Sequence, residues 1–461
     1  VVEPRTLRTH PEHHSHTSFP VFTALGEAPK SPLEKFLSIF ADVRAGEGVT
    51  VVLMAVNAVI VLGLYLLLKP AREALILAEQ GAVTKSYAAA GQAALLFLAV
   101  PIYGWLGSKV NRLQLISITS GFFMLNLIAF WFFGLRGARE GVLFYIWLGI
   151  FNNFVVAQFW AFGNDIYTEG QGRRLFPFIG VGASTGAWLG AQSYSYMVKG
   201  RGGTPYDAML IAAGLLLVTV GLIWIVNRRE KRNAAPEVAK EAEEPLGREG
   251  GFQLILADRY LLWIAVLIFL LNIVNSTGEF VLGKLVTAEA ERTLGAGPAA
   301  EAARKAFIGG FYGDFYSWTN LLGFLFQAFA VSRVMRYAGV RGALFFLPIV
   351  SLVSYSVLLV APLLAVVRVV KILENATDYS LMNTVRPALW LPTTREAKYK
   401  AKAAVDTFVV RLGDMAQAGV VFVGTSAGLV MQGFALVNVV LTVAWLWVAW
   451  QLKTEHRRRT V

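Results

Sequence analysis

Lys69, Arg72 and Glu73 stand at i, i+3 and i+4, so on a helix they share one face, at the end of an apolar run that begins near Val51. Charged side chains inside a bilayer are costly and are kept where they line a cavity or pair with one another. Two cations and a carboxylate at such a depth suit the binding of an anion. The alternative is that they mark the helix end and reach toward the interface. Pro70, between them, removes a backbone donor and is expected to kink the helix. Further along, Asn153, Trp160 and Asn164 share a face of another apolar segment. An amide can hydrogen-bond a base edge and an indole can stack on one; the same residues also serve interhelical packing.

The later part of the chain is richer in such groups. Asn272, Asn275 and Glu279 recur at i, i+3 and i+7, a polar stripe on an apolar helix. Glu279 suits either a proton carrier or an ion-pair partner. Lys371, Glu374 and Asp378 form a stripe of both signs, the pattern of a cavity wall. Lys402 and Asp406 are i, i+4, with Arg411 and Asp414 beyond them. Together Lys69, Arg72, Lys371, Lys402 and Arg411 would bias one cavity positively, toward a phosphate or carboxylate. Arg pairs hydrogen bonds to phosphate, and Lys acts as a point charge.

The segments that carry these groups are membrane spans. Of 461 residues 56% are hydrophobic and only 16% charged, with mean hydropathy +0.55, whereas soluble domains carry about 25% charged residues. The length fits about twelve helices of roughly 20 residues. Cysteine is absent, which excludes disulfides and thiolate chemistry. Four of the 5 His (His10, His13, His14, His16) lie in a polar N-terminal tail, so neither a buried metal site nor a cofactor is expected. No G-x-x-x-x-G-K-[ST] occurs, so a nucleotide would be cargo and not fuel. The net charge of +12 fits basic cytoplasmic loops, and no nucleic-acid partner is expected.

The predicted organisation is an all-α membrane protein in two six-helix halves. Residues 1–49 read as a tail and cytoplasmic lead-in, 50–227 as the first half and 228–259 as a charged linker. Residues 260–452 read as the second half and 453–461 as a basic tail. Gly182, Gly186 and Gly190 recur at the spacing that lets two helices approach closely. Basic residues such as Lys109, Arg112, Arg333, Arg336 and Lys398 fall in loops on one side, which places both termini in the cytoplasm.

Gly104-Trp-Leu-Gly107-Ser-Lys109-Val-Asn-Arg112 and Ser332-Arg-Val-Met-Arg336-Tyr-Ala-Gly339-Val-Arg341 occupy equivalent places in the two halves. Both resemble the basic turn between the second and third helices of each half in the major facilitator superfamily. Phe159-Trp160-Ala-Phe162-Gly-Asn164-Asp-Ile-Tyr-Thr168 and Arg174-Leu-Phe176-Pro177 resemble the fourth-to-fifth helix region of the ATP/ADP translocases of plastids and obligate intracellular bacteria. Asp378-Tyr379-Ser380-Leu381 and Lys398-Tyr-Lys400-Ala-Lys402-Ala403-Ala404-Val-Asp406 resemble their tenth-to-eleventh helix region, and the Tyr65-to-Leu77 stretch is similar in layout.

That resemblance implies a major-facilitator-like fold exchanging nucleotides across a membrane by counter-transport. It places the family's first-helix cation at Arg72 and its eleventh-helix Lys at Lys402 or Lys400. Where the family carries a fourth-helix Glu, Leu148 to Asn153 are uncharged; the seventh-helix acid aligns near Asn275, with Glu279 one turn on. The expected protein is therefore a monomeric secondary transporter of an inner membrane, not an enzyme, with a nucleotide-like anion as substrate and the bilayer as surroundings. The alternatives are proton-coupled movement of another organic anion, with Glu279 or Glu374 carrying the proton, and a non-transporting membrane component.

Overall fold

The computed structural model describes residues 30–39, 41–233, 251–394 and 396–460. The His-bearing tail and most of the central linker lie outside them. The helices in the first part are α1 (Pro32–Leu37), α2 (Gly48–Glu79), α3 (Gly81–Gly107), α4 (Arg112–Gly134), α5 (Gly141–Ile166), α6 (Glu169–Arg201) and α7 (Pro205–Asn233). The second part holds α8 (Gly251–Ala257), α9 (Arg259–Leu294), α10 (Glu301–Leu325), α11 (Val331–Tyr337), α12 (Gly339–Ala343), α13 (Phe346–Val360) and α14 (Leu364–Thr377). It ends with α15 (Asn383–Leu389), α16 (Lys402–Ala404), α17 (Val410–Ser426) and α18 (Met431–Thr460). The described residues contain no strand.

Nine helical stretches among the described residues are long and apolar enough to cross a membrane. The chain is a multi-pass membrane protein. Helices α6, α10 and α14 fall outside that set although they pack in the same bundle. Each carries polar or charged residues where a lipid-facing helix would be apolar. Pro70 does not end its helix, since α2 runs unbroken through it. Likewise α9 runs on to Leu294, and α18 carries the basic tail to Thr460 as helix.

The turns between helices are specified locally. Asn111 caps α4 and exchanges bonds with Gln114, and Thr168 does the same for α6 with Gln171, each satisfying donors that a helix start leaves free. Gly81 reverses the chain between α2 and α3 at φ +80, a conformation that a Cβ would strain.

Buried apolar residues form two clusters. One runs from Leu37 to Val226; the other draws mainly on Ile255 to Leu452. In the first part, α6 lies directly on α2. A Cβ on Gly182, Gly186 or Gly190 would fall 2.7, 2.2 or 2.0 Å from the carbonyl oxygens of Ala55, Val59 and Gly63. These glycines are spaced for backbone contact.

The two parts meet most closely at the ends of α2, α6 and α10 remote from the chain termini. There a Cβ on Gly309, Gly310 or Gly313 of α10 would strike Tyr194, Lys199 or Ser195 of α6. Lys305 pairs with Glu79 at 2.7 Å, Arg139 with Glu301 at 3.5 Å, Lys199 with Asp314, and Ser317 donates to Gln192 at 2.8 Å. This far face is closed.

Candidate functional site: a charged cavity between the two parts

Beneath the closed face lies a cavity with about 790 Å³ of empty space, part of it open to solvent. Lys69 and Arg72 of α2, Lys85, Ser86 and Gln92 of α3, and Tyr145 of α5 line one side. Asn275, Ser276 and Glu279 of α9, Tyr316 of α10, Asn375 and Tyr379, and Arg411, Asp414 and Gln417 of α17 line the other.

On the first side the cations are arranged around one carboxylate. Glu73 is fully buried. One oxygen accepts from Arg72 at 2.5 Å, and the other meets the Lys85 ammonium at 2.6 Å. The Gly81 turn explains Lys85: it returns α3 beside α2, so a residue twelve positions on lies against Glu73. Arg72 also stacks over the Tyr145 ring at 4.3 Å. Lys69 differs. Among the described residues no carboxylate lies within ion-pair distance of it. Its ammonium stands 4.1 Å over the Tyr316 ring and donates to the Tyr379 hydroxyl at 3.4 Å.

On the second side Lys371 is fully buried behind the wall. It donates to Asn275 at 3.0 Å, pairs with Glu374 at 3.2 Å and lies 3.9 Å from Glu279. Glu374 is held further by Ser351 at 3.2 Å and by the Tyr355 hydroxyl at 3.2 Å. Gly278 makes room for this network, because a Cβ there would fall 2.1 Å from the Tyr355 hydroxyl and 2.9 Å from the Lys371 ammonium. Asn375 donates to Glu279 at 3.1 Å. Arg411 pairs with Asp414 at 2.9 Å, and Asp414 also accepts from Asn272 at 2.9 Å. Gln417 and Ser86 join the two parts at 3.1 Å.

The charge balance follows from these pairings. Lys69, Arg72, Lys85, Lys371 and Arg411 face Glu73, Glu279, Glu374 and Asp414, one cation in excess. A site of this kind attracts an anion, and its aromatic rings offer flat apolar surface beside the cations.

A second space of about 700 Å³, lined by Leu96, Phe97, Asn153, Asp406, Phe408 and Arg411, shares Arg411 with the first and lies toward the termini. Among the described residues four π-helical turns interrupt the second part, including Asp378–Met382 and Val405–Val409. Such turns change which side chains face inward and occur often at functional sites. Tyr379 and Asp406 sit on two of them.

Of the residues singled out from the sequence, Lys69, Arg72, Asn275 and Glu279 line the cavity, with Glu73, Lys371 and Glu374 directly behind its wall. Asn153 and Asp406 line the second space; Asn153 itself donates to the Gly149 carbonyl at 2.8 Å. Trp160 lies outside both linings and packs edge-on to Phe159 and Phe176. Asp378 pairs with Arg386 at 2.5 Å, and Lys402 pairs with Asp406 at 2.6 Å on a half-exposed surface. Neither Asp378 nor Lys402 reaches the cavity. Sequence reasoning missed Lys85, Gln92, Tyr145 and Tyr316. Lys85 stands four residues past Gly81; its distance from Glu73 across a tight turn was the available signal.

Residues 315–456 match the family described as TLC ATP/ADP transporter. The chain is 23% identical over 383 residues to ADP,ATP carrier protein 4 of Rickettsia felis, covering 72% of this chain and 71% of that protein. It is 24% identical over 351 residues to ADP,ATP carrier protein 1 of Chlamydia trachomatis, covering 67% and 64%. Among solved structures, a mutant of the nucleoside transporter NupG superposes with TM-score 0.62 at 12% identity, over 87% of this chain and 99% of that one. A bacterial homologue of the iron transporter ferroportin in an inward-facing state superposes with TM-score 0.59 at 12% identity, over 88% and 98%. These likenesses place the fold among major-facilitator-like transporters. The family match is confined to the second part of the chain, and the likeness in sequence to the ADP,ATP carrier proteins extends over most of its length.

Proposed function

We propose that the protein is a secondary transporter that exchanges nucleotides of the ATP/ADP kind across a membrane by alternating access. The observation that carries this reading is the cavity between the two parts, with Lys69 free of any carboxylate partner among the described residues and Arg72, Lys85 and Arg411 nearby. The phosphates take the place of the missing anion at Lys69, and Arg72 supplies paired donors. Tyr145, Tyr316 and Tyr379 offer ring faces to the base. Glu73, Lys371 and Glu374 hold the wall in register, and Asn275 and Glu279 supply its polar contacts. The names of the curated relatives support the substrate class. They favour exchange over proton-coupled movement of another anion.

On this reading the two halves, 50–227 and 260–452, rock about the cavity through twelve spans. On the same reading both termini lie in the cytoplasm of an inner membrane, an orientation that the basic loops support; the closed far face is then extracytoplasmic and the present conformation opens inward. The protein acts as a monomer, and Asn153 and Asp406 line the inner path to the site.

Liposomes loaded with unlabelled ATP and ADP test the proposal. Uptake of labelled nucleotide should depend on nucleotide inside and vanish in Arg72→Ala. Uptake equal in empty liposomes would refute exchange, and absence of uptake by folded protein would refute the substrate class.

A further inference from the structure

Outside the cavity, one buried carboxylate has no part in the proposed transport chemistry. Glu140 immediately precedes α5, is 7% exposed, and its Oε2 is buried with no hydrogen-bond partner among the described residues. It stands where the two parts close on each other. Glu79, at the end of α2, caps the first turn of α5 by accepting from the Gly141 amide at 2.8 Å. Its other oxygen meets Lys305 of α10 at 2.7 Å. Lys305 also pairs with Glu301 at 3.1 Å and reaches the Tyr206 hydroxyl at the start of α7 at 3.5 Å. Arg139 lies 3.5 Å from Glu301 and is largely exposed. Gln80 completes the surroundings, with its amide oxygen buried beside Gly141. Three carboxylates therefore share one buried ammonium and one hydrated guanidinium.

Two like charges this close, out of water, do not both stay ionised. A lone carboxylate with one unpartnered oxygen takes a proton. We propose that Glu140 is a proton-binding site that holds the extracytoplasmic closure shut when protonated and loosens it when ionised.

Burial, and next the neighbouring Glu79 carboxylate, push the Glu140 carboxyl up to about 7. When α10 withdraws, Glu301 leaves with it and water reaches Glu140, which removes the larger cause. The affinity for the proton is thus higher in the closed state. Closure gains stability as pH falls below about 7 and loses it as pH rises through that value. The closed-to-open ratio should change by up to about tenfold per pH unit in that range. The inference rests on alternating access but not on the identity of the cargo, and its test needs no substrate.

The chain has no cysteine, so a labelled pair at Ala138→Cys and Ala299→Cys reports the distance across the closure by paired spin labels. In the full-length protein in lipid, the short-distance population should fall as pH rises from about 5 to about 7 and level off above it. The isosteric Glu140→Gln should keep the short distance throughout. Glu79→Gln, which removes the repelling charge, should shift that fall to lower pH. A population that ignores pH, or one whose pH dependence survives unchanged in Glu140→Gln, overturns the proposal.

Discussion

Glu73 is the hinge of the charge arrangement, and replacing it by Gln exposes the account to a direct energetic test. The change keeps shape and volume while removing the anion between Arg72 at 2.5 Å and Lys85 at 2.6 Å. The new amide can still accept from Arg72, but its NH2 would face the Lys85 ammonium, donor against donor. Lys85 is 7% exposed, so water from the cavity replaces the lost partner only poorly. Breaking a buried pair in this way costs about 3–5 kcal/mol, or on the order of 5–10 °C at roughly 2 °C per kcal/mol. Unfolding in detergent, followed by the fluorescence of the 12 Trp residues, would measure it. Adding Lys85→Met removes the stranded cation, so the double variant should be more stable than Glu73→Gln alone. If Glu73→Gln lies within about 1 kcal/mol of the parent, the carboxylate is not holding buried charge and the balance drawn here is wrong.

Gly190→Leu should lower thermal stability and folded yield sharply, because even its Cβ would lie 2.0 Å from the Gly63 carbonyl, and overpacking commonly costs about 1–3 kcal/mol. Tyr316→Ala removes the ring under Lys69; with cation–π contacts worth about 0.5–2 kcal/mol, nucleotide affinity by calorimetry should fall about 2- to 30-fold. Trp160→Phe, outside the cavity lining, should leave that affinity within about twofold. Lys305→Met removes the ammonium shared by Glu79 and Glu301 and should raise the open fraction of the face remote from the termini, read by the same spin-label pair.

The membrane class was legible because lipid demands long apolar runs, and nine helical stretches among the described residues are long and apolar enough to cross one. Lys69 and Arg72 stood out for the same reason, as charges where hydrocarbon was due. The fourth span misled. Helical spacing correctly grouped Asn153 with Trp160, but spacing alone does not say which face looks toward the axis. The packing of α5 turns Tyr145 to the cavity and leaves Trp160 against Phe176. Lys85 was hidden for another reason: its role depends on the Gly81 turn bringing it back to Glu73, a contact between helices that periodicity within one helix does not encode. The π-helical turns at Asp378–Met382 and Val405–Val409 shift register locally, so a straight wheel placed Asp378 on the wall while Tyr379 holds that place.

The central claim is that the cavity cations, Lys69 above all, bind nucleotide through its phosphates. Calorimetric titration of purified protein with ATP, ADP, AMP and adenosine, for the parent and for Lys69→Met, tests it most directly. Affinity should fall from ATP and ADP to AMP and be weakest for adenosine. Lys69→Met should narrow the gap between ATP and adenosine by about tenfold or more, the loss of one charge-assisted contact. Equal affinity for ATP and adenosine in the parent, or an ATP preference untouched by Lys69→Met, would contradict it.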